Sequence, residues 1–207
     1  MRRSSNGCRS AKAKYGYVMS PITHFLAGWL VANTSQSLDR RERAIITVAG
    51  VAPDVDGLGL IADALTANSK HPTDWFSRFH HLLGHNLAFG LLIAVLAFLV
   101  VKRRWITAGF VLVSFHLHLL FDLLGSRGPD GYQWPIQYLF PFSSSWQWTW
   151  AGQWALNAWP NFIITGAALA TVFVLAWKRG YSPLEMVSVS ADKAFVTALR
   201  RRFPVSA

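Results

Sequence analysis

The chain has 207 residues, of which 52% are hydrophobic and only 14% are charged. Soluble domains of this size carry about 25% charged residues, so the composition excludes an ordinary soluble globule and favours apolar helices in a membrane. Lysine and arginine number 20 against 10 acidic residues, and the single Cys8 excludes an intrachain disulfide and a thiolate metal cluster.

The first part of the chain contains a basic tail and two short apolar segments. Residues 1–18 carry no acid and no long apolar core, which predicts a disordered tail and not a signal peptide. Met19 opens the sequence MSPITHFLAGWL, so translation from Met19, without residues 1–18, is an alternative. Residues 23–38 and 43–60 follow as short helix candidates, the second interrupted by turn signals in GVAPDVDG.

Three longer apolar segments predict clear membrane spans, at residues 82–101, 105–124 and 154–177. Twenty helical residues at ~1.5 Å each cover a hydrocarbon core of ~30 Å. The prediction is an all-α, multi-pass membrane bundle of about five helices, with a membrane-embedded domain over residues 19–178. The Trp-rich stretch 125–153 is expected at the headgroup level. Residues 179–207 form a basic tail, with an amphipathic helix expected over 183–202.

The basic clusters at residues 39–43, 102–104 and 177–180 all fall on one side when five helices are threaded in order. The positive-inside rule makes that side the cytoplasm, and charge clustered in this way does not indicate a nucleic-acid partner. The same threading brings a set of polar residues to the opposite, extracytoplasmic face: His24, Asp54, Asp56, His80, His81, His85, His116, His118 and Asp122.

The spacing of two residues in the fourth helix predicts a metal site. His118 and Asp122 stand at i and i+4, so on a helix they share a face and can bind one ion. A polar contact between two helices is the alternative use of such a pair. An ionisable residue inside a span tends to be functional, which favours the metal site for Asp122.

Two further motifs offer ligands with alternatives that the sequence leaves open. In HHLLGH, His81 and His85 have helical spacing and His80 precedes them, so either a metal or simple hydration at the interface accounts for them. In APDVDG, Asp54 and Asp56 either face a metal or cap a helix.

Several other polar residues receive weaker interpretations. His116 lies on a different face from His118 and is a candidate to support a ligand from behind. Arg127 and Asp130 either contact an anion or fold their loop around Pro129. His71 and Asp74 lie in a polar loop, and no role is predicted for them.

The motifs PITHFLAG, APDVDG, HHLLGHN and HLLFD, followed by WP and FPFS, together resemble the YdjM-like inner-membrane proteins, described as predicted metal-dependent hydrolases. The resemblance covers about residues 21–142. Its HxxxD pair is similar to those of the zinc-dependent phospholipase C and nuclease fold. The resemblance implies these metal residues: His24, Asp54, Asp56, His80, His85, His118 and Asp122.

Two departures from the family pattern weaken the substrate assignment. Where the family usually reads His-Arg-Gly-x-Thr-His, this chain has His80, His81, Leu82, Leu83, Gly84 and His85. The arginine that is missing there is a residue type that binds anions. Gly125 stands where a threonine often follows the last aspartate by three positions.

The resulting hypothesis is a membrane hydrolase that holds one or two divalent metal ions. Zinc is the first choice, and manganese or iron are alternatives, since His and carboxylate ligands suit all three. Zinc lowers the pKa of a water that it binds to about 7, and Asp56 is expected to be a bridging ligand or the general base. A phosphoester or lipid-like substrate is expected, with membrane lipid as the surrounding partner. A non-enzymatic metal-binding or ion-transporting membrane protein is the alternative, and a structural protein with interfacial histidines is the third.

Overall fold

The computed structural model describes residues 21–128 and 131–204. The predicted tail 1–18, the alternative start at Met19, and Pro129 and Asp130 lie outside these residues. The described ranges form eight α-helices and two short 3-10 helices, without a named strand; isolated bridges join Arg127 to Ala155 and Ile136 to Trp148.

The α-helices are α1 Pro21–Ala32, α2 Arg40–Ala49, α3 Gly59–Thr66, α4 Trp75–Phe79, α5 Leu87–Val100, α6 Arg104–Gly125, α7 Trp159–Arg179 and α8 Val189–Arg202. The 3-10 helices are Ala52–Leu58 and Pro183–Met186. The all-α prediction is therefore confirmed, with more and shorter helices than the five expected.

Helix α6 is the centre of the bundle and packs against α1, α2 and α5, while α1 also packs against α2 and α7. Two glycines make this close packing possible. A Cβ on Gly28 of α1 would lie 2.8 Å from the Thr47 carbonyl oxygen of α2, and one on Gly90 of α5 would lie 2.7 Å from the Phe115 ring of α6. Small residues at such crossings let membrane helices approach closely.

Two of the three predicted spans are long enough in the structure. By length and composition, α6 with 22 residues and α7 with 21 residues could cross a bilayer, each with a mean hydropathy of 1.7. Helix α2 together with residues Ala52–Thr66 passes the same test as one bent span, with a 51° bend. The described residues thus contain two such helices, or three with the bent pair.

The span predicted at residues 82–101 is not confirmed, because the segment is not one continuous helix. Helix α5 begins only at Leu87 and has 14 residues, about 21 Å, short of the ~30 Å of a hydrocarbon core. The Asn86 side chain accepts a hydrogen bond from the Phe89 N–H and caps the helix there. Residues 82–86 form turns, whose carbonyls at Leu82 and Leu83 accept from the Asn86 amide. The absence of charge in this segment did not mean a continuous helix.

Other helix ends differ from the predicted ends for identifiable reasons. Helix α7 begins at Trp159 and not at residue 154, because Pro160 suits the first turn of a helix. The predicted interruption of the second segment is confirmed: α2 stops at Ala49, and Pro53 starts the 3-10 helix. The C-terminal helix expected over 183–202 is divided into Pro183–Met186 and α8, each with a serine cap, Ser182 and Ser188.

Contacts between helix ends define a basic end of the bundle. The end of α1 meets the end of α7 through Asn33 and Arg179, 2.9 Å apart. The start of α2 meets the start of α6, where the Glu42 carboxylate accepts from the Arg103 N–H at 2.8 Å. At the opposite end of these helices, α1 begins, α2 leads into the 3-10 helix, and α6 ends.

Candidate metal centre

The last turns of α6 supply the central pair of the site, His118 and Asp122, both completely buried. The His118 Nδ1 donates to the Gly50 carbonyl oxygen at 2.8 Å, which is free because α2 has just ended. A carbonyl oxygen only accepts, so the proton is on Nδ1 and the Nε2 of a neutral His118 carries a lone pair. That Nε2 lies 3.0 Å from the Asp122 Oδ2.

The turn before α5 brings His85 to the same carboxylate. The Asp56 Oδ2 accepts from the Gly84 N–H at 3.0 Å and lies 3.0 Å from the His85 Nδ1, so that Nδ1 is the donor. The His85 Nε2 then points to the pair on α6, 3.2 Å from the Asp122 Oδ2 and 3.1 Å from the His118 Nε2.

Three acceptor atoms therefore face one another in a buried space. Two imidazole lone pairs 3.1 Å apart, with a carboxylate oxygen beside both, repel unless a cation or a proton lies between them. Ligand atoms about 2.1 Å from a tetrahedral zinc ion lie about 3.4 Å from one another. The observed separations of 3.0 to 3.2 Å are close to this value.

Asp54 and His24 border this group. The Asp54 Oδ1 lies 3.7 Å from the His118 Nε2, and the His24 Nε2 lies 3.3 Å from the Asp122 Oδ1. The His24 ring also stacks on the His118 ring, with centroids 3.8 Å apart. Both Asp54 oxygens, both His24 ring nitrogens and the Asp122 Oδ1 are buried without a hydrogen bond. Such orphaned atoms cost about 1–3 kcal/mol each unless a ligand satisfies them.

His81 approaches the site through an unusual backbone conformation. Its φ is +67°, in the left-handed region that non-glycine residues rarely adopt and that clusters at functional sites. The buried side chain lies 3.9 Å from the Asp122 Oδ2, and neither ring nitrogen has a hydrogen-bond partner. The sequence left open which histidines of HHLLGH ligate, because a left-handed residue cannot be inferred from helical spacing.

Asp56 and His80 lie behind the converging atoms. The Asp56 Oδ1 is 2.9 Å from the His80 Nδ1, and its Oδ2 is bonded to Gly84 and His85. The His80 ring stacks on Phe76, with centroids 4.6 Å apart, and contacts the edge of Trp134. Both residues are thus in position to orient His85, as carboxylates often do for a metal-ligating histidine.

Two imidazoles outside the helices have displaced pKa values. Burial alone would lower the pKa of His85, but hydrogen bonds to Asp122 and Asp56 outweigh it and raise the pKa to about 9. Burial, together with the neighbouring rings of His85 and His80, holds the pKa of His81 well below its usual range. In the metal-free protein a proton on His85 therefore separates the facing lone pairs, and a metal ion competes with it.

The remaining polar residues of the sequence lie elsewhere. The His116 Nδ1 is 2.7 Å from the Leu112 carbonyl oxygen, and its Nε2 is 2.9 Å from the Tyr138 hydroxyl. His116 therefore attaches the Trp-rich stretch 125–153 to α6 and does not touch a candidate ligand. Arg127 donates to the Ala151 carbonyl oxygen at 2.8 Å. Asp74 forms an exposed pair with Arg78 at 2.7 Å.

Four residues meet the geometric requirement for a shared ion most closely. Asp54, His85, His118 and Asp122 each offer one atom, and these atoms lie within 4.8 Å of one another. The donor set contains two imidazoles and two carboxylates, and within the described residues no lysine or arginine pairs with them. His/carboxylate donors fit zinc, and manganese or iron as well.

Comparison with known proteins assigns the family. No curated protein and no solved structure matches the chain. The sequence does match the family described as "YdjM inner membrane protein" over residues 19–199, which is most of its length. The motif resemblance is confirmed, and the family description agrees with the apolar helices of the fold. The chain therefore belongs to the YdjM inner membrane protein family.

Proposed function

We propose that this protein binds a divalent metal ion, with zinc the best fit, at the cluster around Asp122. The observation that carries the proposal is the meeting of the His85 Nε2, the His118 Nε2 and the Asp122 Oδ2 at 3.0 to 3.2 Å in a buried space. Each imidazole is fixed from behind, by Asp56 and by the Gly50 carbonyl, so both Nε2 atoms point to the same space before any ion arrives.

Asp122 is the residue best placed to bridge two ions. Its Oδ2 faces His85 and His118, while its Oδ1 faces the His24 Nε2 at 3.3 Å. One ion would be held by His85, His118 and Asp122, with Asp54 beside it, and a second ion would lie toward His24. This assigns the bridging role to Asp122 and not to Asp56, whose two oxygens already accept from His80, His85 and Gly84.

We further propose that the site is hydrolytic, as the family resemblance implies. The ion would supply Lewis-acid polarisation and an activated water. Asp54 replaces Asp56 as our candidate for the proton acceptor. Both Asp54 oxygens lack a hydrogen bond, whereas the two Asp56 oxygens accept from His80, His85 and Gly84. A carboxylate in that state is free to take a proton from an entering group.

A phosphoester or lipid-like substrate suits the surroundings. The cluster lies where apolar helices end, and Trp134 of the Trp-rich stretch 125–153 contacts the rings of His80 and His81. Aromatic residues of this type favour the headgroup level of a bilayer, where a lipid head group would present its ester bonds. The extracytoplasmic side remains a prediction from the charge clusters.

The proposal is tested by comparing metal-free and zinc-loaded protein on bis(p-nitrophenyl) phosphate and on a phospholipid in mixed micelles. Zinc-dependent hydrolysis is expected. Asp54→Asn should keep the metal through the remaining donors and lose at least about 100-fold in turnover. The control Asp74→Asn changes an exposed carboxylate away from the cluster and should leave turnover unchanged. No hydrolysis by zinc-loaded native protein contradicts the hydrolytic part alone.

A non-enzymatic metal site is the second candidate, and one observation favours it. The converging atoms of His85, His118 and Asp122 are buried, and even the Asp54 oxygens are shielded from solvent. A structural metal site is typically closed in this way. Stoichiometric zinc without turnover on either substrate would support this candidate, and zinc flux in proteoliposomes would separate transport from a static role.

A further inference from the structure

Two adjoining cavities lie along α2: an apolar groove between α2 and α5, and a polar cavity at the basic end. An apolar groove of about 380 Å³ is lined by aliphatic side chains, among them Ile45 and Val48 of α2 and Ile93, Leu96 and Val100 of α5. Val48 and Leu96 are about half exposed, at 56% and 52%. The groove therefore opens sideways, toward the surroundings of the bundle.

A polar cavity of about 440 Å³ continues the groove at the start of α2. Asp39, Arg40, Arg41 and Met186 line it, and Ala44 lines both cavities. The Arg40 guanidinium has only a long contact of 3.5 Å to the Met186 carbonyl oxygen, and Arg41 has no ion pair within the described residues. The Asp39 carboxylate accepts from the Glu42 N–H, which occupies it as a helix cap.

The two cavities align along one face of α2. Arg41, Ile45 and Val48 are spaced by four and three residues, so their side chains share a face of the helix. From Arg41 to Ala49 the helix axis rises about 12 Å, close to the ~15 Å depth of one leaflet of the hydrocarbon core. A ligand with an apolar tail of leaflet length and an anionic head matches this order of surfaces.

Two neighbouring arginines differ from the two arginines of the cavity. Arg43 forms a bidentate pair with Glu185 at 2.7 and 2.8 Å, and Arg103 pairs with Glu42 at 3.1 Å. Both are therefore neutralised within the protein. Arg40 and Arg41 are exposed beside them and pair with no carboxylate in residues 21–128 and 131–204, and guanidinium groups bind phosphate with matched geometry.

We propose that this groove and cavity form a binding site for an anionic phospholipid. One acyl chain lies between α2 and α5, and the head-group phosphate lies against Arg40 and Arg41. Basic pockets beside membrane helices attract anionic lipids at about 1 kcal/mol per basic residue, so the pair favours an anionic over a zwitterionic lipid by about 30-fold. The arginines of this site lie at the other end of α2 from the metal cluster, while the groove extends along α2 to Ala49 and Ala52. The proposal does not depend on the proposed function.

The test is native mass spectrometry of the full chain in detergent, titrated with phosphatidylglycerol, phosphatidylcholine or inorganic phosphate. Native protein should bind phosphatidylglycerol about 30-fold more tightly than phosphatidylcholine, and free phosphate should not compete. Arg40→Gln with Arg41→Gln should remove this preference. The matched control, Arg201→Gln with Arg202→Gln, removes the same charge from α8 and should keep it.

A second pair of variants tests the acyl groove. Val48→Trp should fill the groove and weaken binding of both lipids, whereas Val95→Trp on the outer face of α5 should not, since Val95 is 55% exposed and does not line the groove. Metal content should be unchanged in all four variants. Equal binding of the two lipids, loss of the preference in the α8 control, or full binding by Val48→Trp would overturn the proposal.

Discussion

The two ends of the bundle bury carboxylates in opposite ways. At the basic end, the Glu42 oxygens accept from Asp39 and Arg103, and Glu185 is paired with Arg43. At the opposite end, called the ligand end below because it holds the His/Asp cluster, Asp54 and Asp122 face imidazoles, and several polar atoms have no hydrogen-bond partner. The carboxylates that join helices at the basic end are neutralised by arginine, whereas those of the histidine cluster are not, as we expect of a site that binds a cation.

The largest expected effect is loss of the metal at the ligand end. His118→Ala removes an aimed lone pair from the centre of the site, so we expect zinc in purified protein to fall from stoichiometric to background. His116→Ala is the matched control, because His116 lies two residues away on α6 and contacts Tyr138 instead. Elemental mass spectrometry measures the zinc content of both variants. Equal zinc in the two variants would contradict the assignment of His118 as a metal ligand.

Removal of the metal ion by a chelator should destabilise the folded native protein. An ion present at 1,000 times its Kd stabilises the folded state by about 4 kcal/mol, so its removal should lower the Tm in detergent by several degrees. The His118→Ala variant has no ion to lose, and its Tm should not respond to the chelator. A chelator response of the same size in both proteins would point to an effect on the detergent or on another site.

Asp56 offers a finer test because it acts through His85. Asp56→Asn keeps the shape but removes the negative charge that holds the His85 and His80 rings. Loss of such a supporting carboxylate costs about 10- to 100-fold in metal affinity, measured by competition with a fluorescent chelator. Complete loss of the metal would instead show that Asp56 is itself a ligand, as the sequence analysis expected.

The basic end should respond without any effect on metal. Glu185→Gln leaves the largely buried Arg43 without its bidentate partner, so we expect the free energy of unfolding to fall by about 1–3 kcal/mol. Zinc content should stay at the native value. A variant that lost zinc together with stability would mean that the two ends are coupled.

Lower pH should weaken metal binding by a predictable amount. The pKa of His85 in the metal-free protein is raised to about 9, so below that pH a metal ion must displace its proton. Apparent affinity is then expected to fall about tenfold for each pH unit below 9, and zinc titrations between pH 6 and 8 measure the slope. An affinity that does not change over this range would exclude His85 as a ligand.

The sequence predicted the uninterrupted helix α6 better than the turns that surround the candidate site. The long apolar run of α6 and the spacing of His118 and Asp122 follow directly from helical periodicity, because nothing interrupts that helix. Helix α5 did not follow, since Asn86 is a cap inside an uncharged run. Asp56 behind His85, and His81 beside Asp122, depend on a 3-10 helix and on a left-handed residue that side-chain spacing does not encode.

The metal content of the native protein tests the central claim most directly. Protein purified in detergent without added metal, shown to be folded by a cooperative thermal transition, is analysed by elemental mass spectrometry. We predict at least one divalent ion per chain, with zinc the first expectation. A folded protein that holds no ion, and takes up none when zinc is supplied, would contradict the account and leave a proton on His85 to separate the facing imidazoles.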